Sequence, residues 1–169
     1  FNFKKSAHDN QVLGVERCFI DYAHYLTSLG NEVASVLKNN MVYIDETKAT
    51  GSKVYEMNAA SQGDIFTMFK MTRLFFYFKP DIIICHSRRA LYFARIARFL
   101  TFRKIPIIAI NHGIRPQKFL KADYVLAVNS YFTNQLVEFG MPQDRAIAIP
   151  NMIEVPKNRR KGNGKALVV

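Results

Sequence analysis

Three short segments hold residue types that could do chemistry, and each lies where one regular pattern gives way to another. Cys85-His86-Ser87-Arg88-Arg89 follows the wholly apolar run Ile82–Cys85. Ile110-Asn111-His112-Gly113 follows a second such run, Ile107–Ile110. Leu13-Gly14-Val15-Glu16-Arg17 opens a stretch with helical periodicity. Open α/β sheets bind ligands beyond the carboxyl ends of their strands, so residues directly after strands are the first candidates. An imidazole at His112 could position a substrate hydroxyl or stabilise charge. His86 and Ser87 face the same cleft in one reading. In the other, Ser87 caps the next helix and His86 is a structural hydrogen-bonding residue. Gly14 at a helix start would let a phosphate approach free backbone N–H groups, or serves only the turn. Neither GxGxxG nor GxxxxGK[ST] occurs, so the usual dinucleotide and P-loop readings lose support. Asp123 precedes a strand, the wrong end for catalysis, and reads as structural.

The elements that position these segments follow from periodicity. Val15, Cys18, Phe19, Tyr22, Ala23, Leu26 and Leu29 recur every three or four residues, which predicts a helix over 15–29 stopped by Gly30. A strand follows at Glu32–Leu37, then short strands at Val42–Ile44 and Lys53–Met57. Asp64 caps a helix that runs to Phe78 and stops at Lys79-Pro80. Strand Ile82–Cys85 leads to a helix from Arg89 to Leu100. Strand Ile107–Ile110, strand Tyr124–Val128, a helix from Tyr131 to Phe139 and strand Ala146–Ile149 complete the series. Alternating strands and helices of these lengths imply a doubly wound, mostly parallel, Rossmann-like α/β sheet with helices on both faces. Residues 1–150 are expected to form that domain. Pro150, Asn151, Pro156, Arg159-Arg160-Lys161 and two glycines read as a linker. Lys165–Val169 then reads as the first strand of a further, carboxy-terminal domain, without a partner in this one.

Composition narrows the classes. Apolar residues make up 49% and charged residues 22% of 169 residues, as in a globular domain. No apolar run reaches the roughly 18 residues of a membrane-spanning helix, and the opening Phe1-Asn2-Phe3-Lys4-Lys5 does not resemble a secretory leader. Cys18 and Cys85 read as buried free thiols, and no Cys/His spacing matches a zinc motif, so no metal or other cofactor is expected. The net charge of +11 is uneven: residues 70–121 carry twelve bases and one acid, Asp81. Such a segment points to phosphates on a nucleic acid, an anionic membrane or a substrate. On a helical wheel from Arg88, residues Ala90, Phe93, Ala94, Ala97 and Leu100 form a packing side. Arg88, Tyr92, Arg95, Arg98, Phe99 and Phe102 fall opposite, a mixture suited to an anionic membrane surface.

Five pieces in order resemble the group 1 (family 4) glycosyltransferases of the GT-B fold. Gly14-Val15-Glu16-Arg17 with Leu29-Gly30-Asn31-Glu32-Val33 is similar to the family's opening glycine loop, helix and "GHEV". Lys79-Pro80-Asp81-Ile82-Ile83-Ile84-Cys85-His86-Ser87 is similar to "KPDIVHAHS". Pro106 to Gly113 is similar to "PVVATVHG". Ala122-Asp123-Tyr124-Val125-Leu126-Ala127-Val128-Asn129-Ser130 is similar to "ADAVIAVS". Gly140-Met141-Pro142 with Ile149-Pro150-Asn151 is similar to "GVP…VIPNGVD".

The resemblance implies the amino-terminal, acceptor-side lobe of a bacterial-type, retaining glycosyltransferase. The donor would be a nucleotide-sugar held mainly by a carboxy-terminal lobe. The acceptor would be a cell-envelope glycan or glycolipid. By motif position His112 is the active-site histidine, Gly14 contacts the donor diphosphate, and His86, Ser87 and Arg88 line the acceptor side. Asn151 marks the hinge between lobes. Leu13 and Met152 stand where the family often has glycine. The expected partners are the nucleotide-sugar, the acceptor, an anionic membrane and the chain's own carboxy-terminal lobe. The expected place is the cytoplasm, peripheral on the inner membrane face, and the isolated lobe would be inactive. Two alternatives are a nucleic-acid-binding module on the same basic face and a two-lobed sugar-nucleotide epimerase. No recognised nucleic-acid motif supports the first.

Overall fold

The computed structural model describes residues 14–113, 115–150 and 164–168. Seven strands form one all-parallel sheet in the order β2-β1-β7-β3-β4-β5-β6. They are β1 (Glu32–Leu37), β2 (Lys53–Glu56), β3 (Ile82–Cys85), β4 (Ile107–Asn111), β5 (Tyr124–Ala127), β6 (Ala146–Ala148) and β7 (Lys165–Val168). The helices are α1 (Gly14–Ser28), α2 (Ile44–Ala49), α3 (Ile65–Phe78), α4 (Arg88–Leu100) and α5 (Ser130–Glu138).

Alternation along the strands divides the core between two faces. Ala34, Val36, Ile83, Cys85, Ile107, Ala109 and Leu167 point toward α3, α4 and α5, where they meet Met71, Phe75, Phe93, Ala97 and Leu136. Val33, Leu37 and Val168 point the other way, onto Phe19, Ile20 and Ala23 of α1 and Ile44 of α2. Both faces are covered, which is why the strands read as continuous apolar runs.

Local chemistry sets the helix limits. Asp64 caps α3 by accepting from the Thr67 N–H at 3.1 Å, and Ser87 caps α4 by accepting from Ala90 N–H at 3.1 Å. α1 ends in a Schellman motif: Gly30, at φ 86°, donates to the Thr27 carbonyl, and Asn31 donates to Leu26. α5 ends the same way at Gly140, φ 96°, with Met141 N–H on the Leu136 carbonyl. Lys79 closes α3 in the left-handed region at φ 51°, ahead of Pro80.

Three expectations need correction. Residues 42–44 are not a strand; Ile44 starts α2, and its side chain enters the core beside Phe19. On α4 Phe93, Ala94 and Ala97 are buried as expected, but Leu91, 3% exposed, joins them, while Leu100 in the last turn is half exposed. The largest difference concerns Lys165–Val168. These residues do have partners in this sheet, and they hold its centre. Glu32–Ser35 pair with Lys165–Val168 on one side, and Ile82–Ile84 pair with Ala166–Val168 on the other. The start of β7 is clamped. Asp81 accepts from the Lys165 N–H at 2.8 Å, the Glu32 N–H donates to Gly164, and the Glu32 carboxylate takes the Lys165 ammonium at 3.2 Å. Ala166, Leu167 and Val168 are apolar, and covering both faces of such a segment outweighs the preference for sequence-adjacent neighbours.

The topology also fixes where a ligand would sit. In the common doubly wound order 3-2-1-4-5-6, the chain's first strand is central and the connections diverge on either side of it. Here β7 occupies that central place. Its neighbours β1 and β3 lead into Lys38 and His86 at the carboxyl edge of the sheet.

Candidate functional site

β3 and β4 are adjacent and in register, Cys85 opposite Ala109, so the residues just beyond them emerge side by side. His86 and His112 therefore meet. His112 Nε2 lies 3.4 Å from His86 Nδ1, and the rings stack with centroids 5.6 Å apart. α1 closes over them: the rings of Phe19 and Tyr22 contact His86 edge to face at 5.3 and 5.4 Å. Cys18, on the same helix, brings its Sγ within 4.8 Å of a ligating nitrogen on each histidine.

Burial decides the charge here. His86 is 7% exposed, and desolvation, helped by His112, lowers its pKa to about 3. Desolvation also lowers that of His112, partly offset by the nearby Glu16 carboxylate. Both imidazoles are thus neutral at pH 7, and each can donate one hydrogen bond and accept one. Burial raises the Cys18 thiol to about 11, with a smaller contribution from Asp21. His86 Nε2 is buried and has no hydrogen-bond partner among the described residues.

Beside this pair opens a cavity of ≈ 300 Å³ at the carboxyl ends of β1, β2 and β3. Its walls are mainly apolar, with Phe19, Val36, Met57, Met71 and Phe93, and its polar groups include Glu16, Lys38, His86, Ser87 and Arg89. His112 is not among the lining residues.

The structure sorts the sequence candidates. His86 and His112 meet, and His86 and Ser87 border the cavity. The Ser87 hydroxyl is engaged as the α4 cap, so the structural reading of this serine holds alongside its position at the cavity. Arg88 is exposed and does not line the cavity; Arg89, one residue on, does, because the turn of α4 rotates Arg88 away. Gly14 is the first residue of α1, and a Cβ there would meet nothing within 4 Å, so protein packing does not demand the glycine. Leu13, Asn151 and Met152 lie outside the described residues.

Arg98 is not a free surface cation. It pairs with Asp123 and donates to the Ile105 carbonyl at 3.1 Å. Asp123 also accepts from the Ile107 N–H at 2.7 Å, the structural role expected of it. Tyr92 is half-buried and packs on the core. Cys18, Lys38 and Arg89 were not among the expected site residues. A lone lysine after a strand gives no local signal, and Cys18 is separated from both histidines by more than sixty residues of sequence.

The sequence model of Glycosyltransferase Family 4 matches residues 12–156. The chain belongs to glycosyltransferase family 4. Solved structures agree on the fold. HepE from Anabaena, in complex with UDP-glucose, superposes at TM-score 0.67 and 16% identity, over 87% of this chain and 43% of that one. A glycosyltransferase from Rickettsia africae superposes at TM-score 0.65 and 22% identity, over 81% of this chain and 39% of its own. The lipopolysaccharide outer core galactosyltransferase WaaB superposes at 0.51 and 16% identity, over 75% of this chain and 47% of its own. A search of curated proteins finds no significant match. The chain thus spans less than half the length of the solved structures it matches, and the shared part is the Rossmann-like lobe expected from the sequence.

Proposed function

We propose that this chain is the acceptor-side lobe of a retaining glycosyltransferase that moves a sugar from a nucleotide-sugar to a cell-envelope glycan or glycolipid. One observation carries the reading: His86 and His112 meet at the carboxyl edge of the sheet, under the first turns of α1 and beside an apolar cavity. In this reading His112 stands next to the transferred sugar. Being neutral, it serves as a hydrogen-bond partner for a sugar hydroxyl or for charge developing at the departing phosphate, rather than as a fixed cation. Backbone N–H groups at Gly14 receive the donor diphosphate, favoured by the amino-terminal end of α1. The acceptor enters the cavity, where His86 and Ser87 border it and Arg89 takes the place expected of Arg88. HepE was solved with UDP-glucose, which supports a nucleotide-sugar donor by likeness of fold.

The test uses protein carrying both lobes and a panel of UDP- and GDP-sugars. Nucleotide release that depends on an added glycan or glycolipid acceptor is the expected result. Release that proceeds equally without acceptor, or interconversion of donor sugars, would replace transfer with hydrolysis or epimerisation.

The acceptor class also bears on location. Phe66, Phe69, Phe76 and Tyr77 of α3 and Phe99 of α4 are largely exposed, in or beside the segment that holds twelve bases and one acid. Phe102 is 89% exposed and takes φ 54°, a conformation in which a bulky residue is strained. Neither burial nor local geometry explains a phenylalanine there. Exposed rings among cations fit an anionic lipid surface, with Arg88 and Arg95 as the cations. No helix among the described residues is long and apolar enough to cross a membrane, so contact would be peripheral. The chain is expected to bind vesicles containing phosphatidylglycerol at low salt, and Phe99→Ser with Phe102→Ser to weaken that binding. Equal binding to neutral vesicles, or stronger salt-dependent binding to DNA, would refute the lipid reading.

A further inference from the structure

Cys18, His86 and His112 come from three separate elements, α1 and the ends of β3 and β4, yet their ligating atoms all lie within 4.8 Å of one another. Thiolate and imidazole together suit borderline and soft metals, zinc above all. Zn–N bonds of about 2.0–2.1 Å put two nitrogens of a tetrahedron about 3.3 Å apart. His86 Nδ1 and His112 Nε2 are 3.4 Å apart already. The nitrogen-to-sulfur edge of the same tetrahedron is about 3.6 Å, so from a spacing of up to 4.8 Å the Cys18 sulfur has a little over ~1 Å to close. Phe19 and Tyr22 both pack edge to face against the His86 ring, so one of the three ligands is held before any ion arrives.

The pairing of the histidines gives a second argument. Two neutral rings in contact can share one N–H donor, and whichever tautomer His86 adopts, its buried Nε2 stays without a hydrogen-bond partner. A cation that accepts the Nδ1 lone pair would fix the proton on Nε2, against the aromatic rings, and would replace a long contact by two short bonds. The Glu16 carboxylate lies close enough to His112 to influence it, and so adds negative charge outside the ligand set.

We propose that Cys18, His86 and His112 form a three-ligand site for a zinc-type divalent cation, leaving a fourth position for water or a substrate oxygen. His86 Nε2 lacks the outer hydrogen bond that metal-ligating histidines normally make, which points to a site about 10–100-fold weaker than a fully supported one. Occupancy would therefore be reversible. Because two of the ligands belong to the proposed transfer site, a bound ion would take His112 out of use and inhibit transfer. Only this consequence rests on the glycosyltransferase reading; binding of the ion does not.

The experiment is titration of the thiol-reduced, chelator-free chain with cobalt(II), which reports a thiolate ligand by charge-transfer absorption and tetrahedral geometry by intense d–d bands. The expected result is a charge-transfer band saturating near one cobalt per chain and removed by zinc. Cys18→Ser should abolish the band, Cys85→Ser should keep it, and His112→Gln should weaken binding by about 10-fold or more. Circular dichroism checks the fold of every variant, and His112→Gln, at a half-buried position, serves if Cys18→Ser does not fold. No band from folded wild-type protein, or a band that survives Cys18→Ser, overturns the site. In chelator-treated, metal-free protein carrying both lobes, absence of any sugar transfer would remove the transferase reading and leave the cobalt site standing, whereas transfer that cobalt does not inhibit would overturn only the inhibitory consequence.

Discussion

Replacing Leu167 by alanine should be among the most damaging single changes in this chain. The reason lies in the place of β7. Leu167 is fully buried, pairs across the sheet with Ala34 and Ile83, and belongs to the larger core under α3 and α4. Truncating a leucine in such a site loses its transfer free energy and leaves a cavity that rigid parallel strands on both sides cannot close, a cost of about 2–5 kcal/mol. Against a total stability of about 5–15 kcal/mol, that is a large share. In urea denaturation followed by circular dichroism, the midpoint should fall by on the order of 1 M. Lys165→Ala, at the half-exposed start of the same strand, is the control and should cost about 1 kcal/mol or less. If Leu167→Ala left the midpoint unchanged, β7 would not be the centre of this sheet in solution, and residues 164–168 would belong elsewhere.

Two further outcomes rest on single side chains. His86 binds its proton at about pH 3 in the folded protein, against about 6.5 when unfolded, so between those values the unfolded chain takes up a proton that the native one refuses. Its contribution is intact above pH 6.5 and is lost as pH falls toward 3, by about 1.4 kcal/mol per unit, or about 2 kcal/mol at pH 5. With chelator present, wild type should lose that much more stability than His86→Phe between pH 7 and 5; parallel pH profiles would show that His86 is not buried. Ser87→Ala removes the α4 cap and should cost about 0.5–2 kcal/mol in the same urea assay, whereas no change would mean that the Ala90 N–H finds another acceptor.

The features legible in the sequence were local. Ile82–Cys85 and Ile107–Ile110 announce buried parallel strands because every residue is apolar. Asp64 and Ser87 announce helix starts because their oxygens reach a backbone N–H only three residues away. Each histidine stood out because it comes directly after a strand, but their meeting depends on those two strands being neighbours in the sheet, which the sequence does not show. The hidden features depend on contacts distant in sequence. Nothing in Lys165–Val168 says that it will pair with Glu32–Ser35 and Ile82–Ile84, since any short apolar strand would serve. Arg98 looks like a surface cation until Asp123 arrives beside it. Cys18 occupies an ordinary apolar position on α1, and only the packing of that helix over β3 and β4 brings its sulfur to the histidines. The choice between Arg88 and Arg89 turned on one residue of helix phase, finer than periodicity resolves.

The most direct test of the central claim compares wild type with His112→Ala in protein carrying both lobes, measuring acceptor-dependent nucleotide release and, separately, binding of the nucleotide-sugar. The account predicts that release falls by on the order of 100-fold or more while the protein stays folded and donor binding changes far less. Unchanged release in a folded His112→Ala variant would contradict it, and would move the transfer centre away from the meeting point of β3 and β4.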